Sequence, residues 1–251
     1  MTDHVLIERR GAIQLIRMNR PDKKNAITRA MYAAMSAALT AGDADPAVRV
    51  HVFLGGPGAF SAGNDLADFM AVAMGGETGN EVWDFMMALA GARKPLVSGV
   101  DGIAVGIGAT LNLHCDLTIA TPRTTFHTPF VDLGLVPEAA SSLLAPAILG
   151  HQRAFALLAL GEPLTAQKAL AAGLIYKMVA EERLEDETIA AAERLASKPP
   201  EALRIARDLL RGPRDAVFAR IGEEAEHFRG RLKSEEARAA FAAFLERKKP
   251  G

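Results

Sequence analysis

The spacing of apolar residues changes along the chain. Residues 5–7 (Val5-Leu6-Ile7) and 12–16 are apolar runs separated by Arg10-Gly11, a pattern that predicts a hairpin. Thr28 precedes Met31, Met35, Ala38 and Leu39, which recur at helical spacing, so a helix capped by Thr28 is expected. Val48, Val50, Val52 and Leu54 fall at every second position and predict a strand, ended by Gly55-Gly56-Pro57-Gly58. Helices are expected around 65–73 and 78–92, with a mobile connector over 74–79. Residues 95–100 and 115–120 read as buried strands. After Glu181 the pattern becomes helical. Leu184, Thr188, Ala191 and Leu195 share one face, Leu203, Ala206 and Leu210 the next, and Phe241, Phe244 and Leu245 a third. Strands alternating with helices predict an α/β fold, and the helical tail carries enough apolar surface to pack on the core or on a neighbouring subunit.

Composition narrows the class. The chain has 251 residues, 49% hydrophobic and 24% charged, as expected of a soluble globular protein. No linker, repeat or low-complexity tract interrupts it, so one structural domain is expected, with residues 1–195 as core and 196–251 as a helical lobe. A formal charge of −1 gives no basic excess for nucleic acid. A single cysteine, Cys115, excludes an internal disulfide and fits a reducing compartment. No apolar run approaches a membrane span, no leader is legible, and a cytoplasmic location is expected.

The candidate chemistry centres on Glu138. It is a lone carboxylate in the apolar and small-residue stretch from Phe130 to Ser142, after the turn Leu133-Gly134-Leu135-Val136-Pro137. Read as opening a helix, it can be held dry with a raised pKa, which suits a single general acid/base. Two glycine-bearing turns lie upstream. Ser61-Ala62-Gly63-Asn64-Asp65 follows a strand and opens a helix, where unpaired N–H groups can face a developing oxyanion; a helix simply capped by Asn64 or Asp65 is the plainer reading. Gly102 to Thr110 repeats the arrangement. It lacks the G-x-G-x-x-G pattern, so no dinucleotide site is expected, and tight helix–sheet packing is the plainer reading here. His127 could act as a base, although a histidine between apolar residues is more often structural. Asp132 is a second possible acid, more simply an exposed loop carboxylate. His51 and His114 read as structural, in strand-like settings. No spacing matches a metal site, and no G-x-S-x-G elbow is present. Lys23, Lys24 and the terminal Glu246-Arg247-Lys248-Lys249 are either solvated or paired with phosphates.

In this order the motifs resemble the crotonase (enoyl-CoA hydratase/isomerase) superfamily over nearly the whole chain. Asn19-Arg20-Pro21-Asp22-Lys23-Lys24-Asn25-Ala26 resembles its N-R-P-x-x-x-N-A loop, and Phe60-Ser61-Ala62-Gly63-Asn64-Asp65-Leu66 its F-S-A-G-x-D-L turn. Lys94-Pro95, Val100-Asp101-Gly102, Cys115-Asp116-Leu117 and the terminal Phe244-Leu245-Glu246-Arg247-Lys248 fall at the family's spacing. The resemblance implies a spiral of ββα turns, a trimerising helical tail (homotrimer or dimer of trimers) and an acyl-CoA thioester as substrate, with no separate cofactor. It implies an oxyanion hole made by the backbone N–H groups of Asn64 and Ile107. It implies contacts to acyl-CoA from Lys24, Ala26, Ala62, Asp65, Leu66, Thr110, Phe130, Leu135, Phe244 and Lys248. The two glutamates of hydratases are replaced, by Thr110 and Phe130. Glu138 stands where a glycine is usual, a pattern resembling the peroxisomal type of Δ3,Δ2-enoyl-CoA isomerase. Another acyl-CoA lyase, such as a hydratase, and a non-catalytic acyl-CoA-binding protein are the alternatives.

Overall fold

The computed structural model describes residues 2–65, 67, 68, 70 and 79–247, the last four by backbone only. Gly11, with φ +57°, closes the expected hairpin, and β1 (Val5–Arg10) pairs antiparallel with β2 (Ile13–Met18). β2 then lies parallel to β3 (Val50–Leu54), followed in the same sheet by β5 (Leu96–Val100), β7 (Leu117–Ala120) and β10 (Lys177–Met178). A second sheet holds β4 (Ala59–Ser61), β6 (Ile103–Val105), β8 (Thr125–His127) and β9 (Leu164–Thr165), the first three parallel. From β3 to β8 successive strands therefore alternate between the sheets. Each pair is followed by helix: Glu81–Gly91 after β3 and β4, Ile107–Thr110 after β5 and β6, and Ser141–Leu149 after β7 and β8. This is a spiral of ββα turns, ending in a helical C-terminal region of Leu184–Ala196, Pro200–Arg211, Asp215–Leu232 and Glu235–Arg247.

The strict alternation in β3 does not mark a half-exposed strand, because all five residues are buried. Val50, Val52 and Leu54 pack with Ile13, Leu15, Val97, Ile119 and Leu184 on one face of the sheet. Phe53 points into the larger core on the other face, with Phe60, Phe85 and Leu96. The polar exception, His51, is also buried and meets Asp43 Oδ1 at 3.2 Å. Val48 lies just before the strand.

Several expectations need correction. The strand expected over 115–120 starts at Leu117, and His114 closes a 3₁₀ turn, Leu111–His114, rather than lying in a strand. The helix expected over 78–92 begins at Glu81. Of the stretch 65–73, residue 65 is not helical and residues 67, 68 and 70 are; the others, with most of the 74–79 connector, lie outside the described residues. The helix Pro200–Arg211 does not bury Leu210 against this chain: Leu209 and Leu210 are 78% and 88% exposed. It buries Arg207 instead, because Asp116 draws that face inward through hydrogen bonds to Arg207 Nε of 2.8 and 3.0 Å. No described helix is long and apolar enough to cross a membrane.

Candidate active site

The first glycine turn is built by two distant motifs bonding to each other. Asn25 sits at φ +54° and its side chain accepts from Arg20 N–H at 2.7 Å, while its amide donates to the carbonyls of Ala59 and Phe60. Ser61 Oγ donates to Asn25 O (2.8 Å) and accepts from Gly63 N–H (3.1 Å). Arg20 donates to Ala26 O and pairs with Asp65 at 2.5 Å. Ile27 N–H bonds Gly63 O and Asp65 N–H bonds Ile27 O, a parallel bridge that turns the polar backbone of Asn64 the other way. The Asn64 N–H consequently finds no acceptor among the described residues.

The second turn seats directly on the first. A Cβ on Gly63, at φ +84°, would stand 2.8 Å from Val105 O, and one on Gly108 would stand 2.8 Å from Ser61 Cβ. Only glycine permits both approaches. Gly106 N–H is held by His127 O at 2.9 Å, and the short helix Ile107–Thr110 begins there with no side-chain cap. Its first N–H, on Ile107, is one of the unpaired donors of a helix start. Asn64 and Ile107 thus lie on two abutting turns. The Ile107 side chain is fully buried, so only its backbone can serve a ligand.

Glu138 does not open a helix. It lies in irregular backbone ahead of Ser141–Leu149, separated from it by Ala139 and Ala140, both left-handed at φ +57° and +55°. Glu138 is 4% exposed, and its buried Oε1 has no hydrogen-bond partner among the described residues. Burial, with the negative charge of Glu224 adding to it, pushes its pKa up to about 8. Glu138 lines an apolar cavity of about 110 Å³ with Tyr32, Asn64, Trp83, Met86 and Phe228. Tyr32 donates to Asn64 Oδ1 at 2.5 Å; burial first, then the nearby Glu138, keep its hydroxyl protonated.

A larger cleft of about 1210 Å³ adjoins the cavity, and Asn64, Asp65 and Phe228 line both. Of the residues expected at acyl-CoA, Lys24, Ala26, Ala62, Asp65, Phe130 and Leu135 all line this cleft. Lys23, His127 and Asp132 line it too, Asp132 from the exposed turn Val131–Leu133. Thr110 lines neither space. It stands three residues after Ile107 on the same helix face, and both are buried in the core. Leu66, Lys248 and the Phe244 side chain lie outside the described residues. Among the described residues no group of three or more acidic, histidine or cysteine side chains is placed to hold a metal.

Sequence reasoning missed Tyr32, Phe228 and Glu224. Tyr32 follows Met31 in the register of a buried helix face. The readable sign for the others is the stripe Ile221, Glu224, Phe228, Leu232 at helical spacing, a glutamate within an apolar row.

Comparison with known proteins agrees with the geometry. The sequence profile of the enoyl-CoA hydratase/isomerase family matches residues 8–251. Enoyl-CoA delta isomerase 2 of Rattus norvegicus is 38% identical over 97% of this chain, which spans 64% of that protein's length. The 2,3-dehydroadipyl-CoA hydratase of Escherichia coli is 28% identical over 98% of this chain and 97% of its own. The solved structure of Pseudomonas aeruginosa OdaA superposes with a TM-score of 0.92 at 38% identity, over 97% of this chain and 99% of that one. With its paired glycine turns, its alternating sheets and a profile match over almost its full length, the chain belongs to the enoyl-CoA hydratase/isomerase family.

Proposed function

We propose that this protein is a Δ3,Δ2-enoyl-CoA isomerase, shifting the double bond of a 3-enoyl-CoA to the conjugated 2-position. The observation that carries the reading is a buried carboxylate, Glu138, lining an apolar cavity that meets a polar cleft at Asn64. The acyl chain would enter the cavity, and the pantetheine and nucleotide portion would lie along the cleft past Lys23 and Lys24. Coenzyme A is part of the substrate, and no separate cofactor is required.

As carboxylate, Glu138 takes a proton from C2. The C2–H electron pair delocalises through the thioester, and charge collects on its oxygen. The N–H groups of Asn64 and Ile107 face that oxygen; one such donor is typically worth about 10²–10³ in rate. The same glutamic acid returns the proton at C4, so the double bond moves and nothing else is consumed. One carboxylate suffices because C2 and C4 border one short allylic unit. Hydration needs a second acid/base, yet the two hydratase positions are Thr110 and Phe130, both buried and neither ionisable. The relative from Rattus norvegicus, an isomerase by name, supports the choice of reaction. A place in unsaturated fatty acid breakdown and a homotrimer or dimer of trimers belong to the same proposal.

The test is absorbance at the conjugated enoyl-thioester band with cis- and trans-3-enoyl-CoA. Wild type is expected to produce conjugation, and Glu138→Gln to lose about 10²–10⁴-fold in kcat while still binding acyl-CoA. Undiminished turnover by Glu138→Gln, or fast addition of water to a 2-enoyl-CoA by wild type, would overturn the assignment.

A further inference from the structure

We infer that Glu224, acting with His114, is a positioning residue for Glu138: the two hold the strained backbone of residues 138–140 that aims the carboxyl into its cavity. The inference rests on Glu138 being the acid/base proposed above.

Two consecutive alanines in the left-handed region are costly, and such conformations persist only where the surroundings enforce them. Here the enforcement comes from elsewhere in the chain. Ala140 N–H donates to Glu224 Oε2 at 2.6 Å. Ser142 donates to Glu224 Oε1 twice, from its N–H at 2.9 Å and its hydroxyl at 2.5 Å. Arg220 in turn donates to Ser142 Oγ at 3.0 Å. From the opposite side, His114 Nε2 reaches Ala139 O at 2.7 Å. Burial keeps that imidazole neutral, its pKa brought down to about 4, so the tautomer with hydrogen on Nε2 is the one that donates to the carbonyl. Between them, Glu224 and His114 fix a polar group on each residue immediately following Glu138.

The helix Ser141–Leu149 explains why an outside carboxylate is needed. Its N-cap is Ala140, which has no side chain to satisfy the first N–H groups. Glu224, 6% exposed, replaces that cap from the helix Asp215–Leu232. Ile221, Phe228 and Leu232 on the same stripe line the Glu138 cavity. One helix face therefore supplies both the cavity wall and the brace.

A cap that is merely structural and a brace that positions Glu138 differ in what they predict. The charged and titratable groups around Glu138 are Tyr32 from the helix Arg29–Ala44 and Glu224 from Asp215–Leu232. Arg29, Asp65, Asp68, Glu81 and Arg229 line the same cavity. Of these only Glu224 changes in the variant Glu224→Gln. The expected result is a kcat lower by about 10- to 100-fold, the scale of a misplacement near 1 Å. KM and the acyl-CoA dissociation constant stay where they are. The acidic limb of the kcat–pH profile moves to lower pH, because a like charge has left Glu138. Adding Ala140→Gly, which adopts φ +55° without a Cβ penalty, restores part of kcat. Unchanged kcat in Glu224→Gln, or a loss with the pH limb fixed and no recovery by Ala140→Gly, would overturn the inference. If Glu224→Gln does not fold, Ser142→Ala removes one of the three donors. A smaller drop in kcat, recovered by Ala140→Gly, supports the brace, and an unchanged kcat overturns it. Full activity of Glu138→Gln would strike at the isomerase reading itself, whereas an inactive Glu138→Gln beside a fully active Glu224→Gln removes only the brace.

Discussion

A carboxyl group that must give and take protons in an apolar cavity is at odds with the stability of the protein around it. Glu138 has a folded pKa of about 8 against an ordinary value of 4.5. Below about pH 4.5 it is protonated both folded and unfolded, and burial carries no ionic penalty. Between the two values the unfolded chain releases the proton while the folded protein keeps it, so stability falls as pH rises, and the loss is complete above about 8. His114 acts in the other direction: its folded value near 4 lies below the ordinary 6.5, so its contribution is lost as pH falls from 6.5 towards 4. The Glu138 effect is therefore best read above pH 6.5. Glu138→Gln is expected to be more stable than wild type at pH 9, by on the order of a few kcal/mol, with the gap narrowing towards pH 6.5. Urea unfolding of both proteins across that range checks it; a gap that does not change with pH would mean a well-solvated Glu138. In the same window wild-type kcat should climb with pH as the base ionises. The raised pKa was legible in the sequence, since Phe130, Leu135 and the neighbouring alanines offer Glu138 nothing polar. The second contributor was not, because Glu223-Glu224 reads as a solvated pair until the stripe it shares with Ile221 and Phe228 is noticed.

Among the elements, the two glycine turns carry the most information per residue. Gly63 combines φ +84° with a Cβ position 2.8 Å from a backbone oxygen that cannot swing away. Gly63→Ala must therefore move the Asn64 turn off the Ile107 turn and separate the two donors. The expected outcome is a fall in kcat of about 10²-fold or more, measured in the conjugation assay, with a lowered unfolding midpoint from the left-handed strain. Wild-type kcat in this variant would remove these N–H groups from the chemistry. The sequence showed both turns because glycine after a short strand is conspicuous. That the two would pair was expected from their repeat and from the family resemblance; the parallel pairing of β4 and β6 that makes them abut was not legible. Periodicity placed the longer strands and helices well. It failed where side chains of other elements override local pattern: Glu138 looked like a helix start, but the two left-handed alanines, held by Glu224 and His114, delay the helix to Ser141. Over Pro200–Arg211 an ion pair rather than the apolar stripe decides which face is buried against this chain, and the stripe is left exposed, as packing on a neighbouring subunit would require.

For the molecule as a whole, the recurring motifs turn out to be joints rather than reagents. Strands of three residues, such as β4, β6 and β8, carry too little pattern to announce which sheet they join. Acid side chains then bond the elements to one another. Burial alone would raise the pKa of Asp101, but bonds from Arg123, Gly58 N–H and Thr121 override that and bring it to about 2, tying β5 to the loop before β4 and to the end of β7. Asp116 does the same work for the helical region. It accepts from Leu96 N–H at 2.8 Å, from Arg207 Nε at 2.8 Å and from Arg211 Nε at 3.2 Å, so one carboxylate joins β5, the start of β7 and the helix Pro200–Arg211. Arg207 is 4% exposed; among the described residues its Nη1 reaches Ala92 O, at 2.7 Å, and its Nη2 finds no acceptor. Asp116→Asn would leave that guanidinium buried without a counter-charge, a situation that costs about 3 kcal/mol or more. The surface pair of Arg204 and Glu201 on the same helix is the internal comparison. Both its partners keep their water when separated, so Glu201→Gln should leave the unfolding midpoint where it was. Urea unfolding of the two variants beside wild type decides the matter. A large loss for Asp116→Asn alone would identify the buried cluster as what fastens the helical region to the spiral, and equal midpoints would place that fastening in apolar contacts instead.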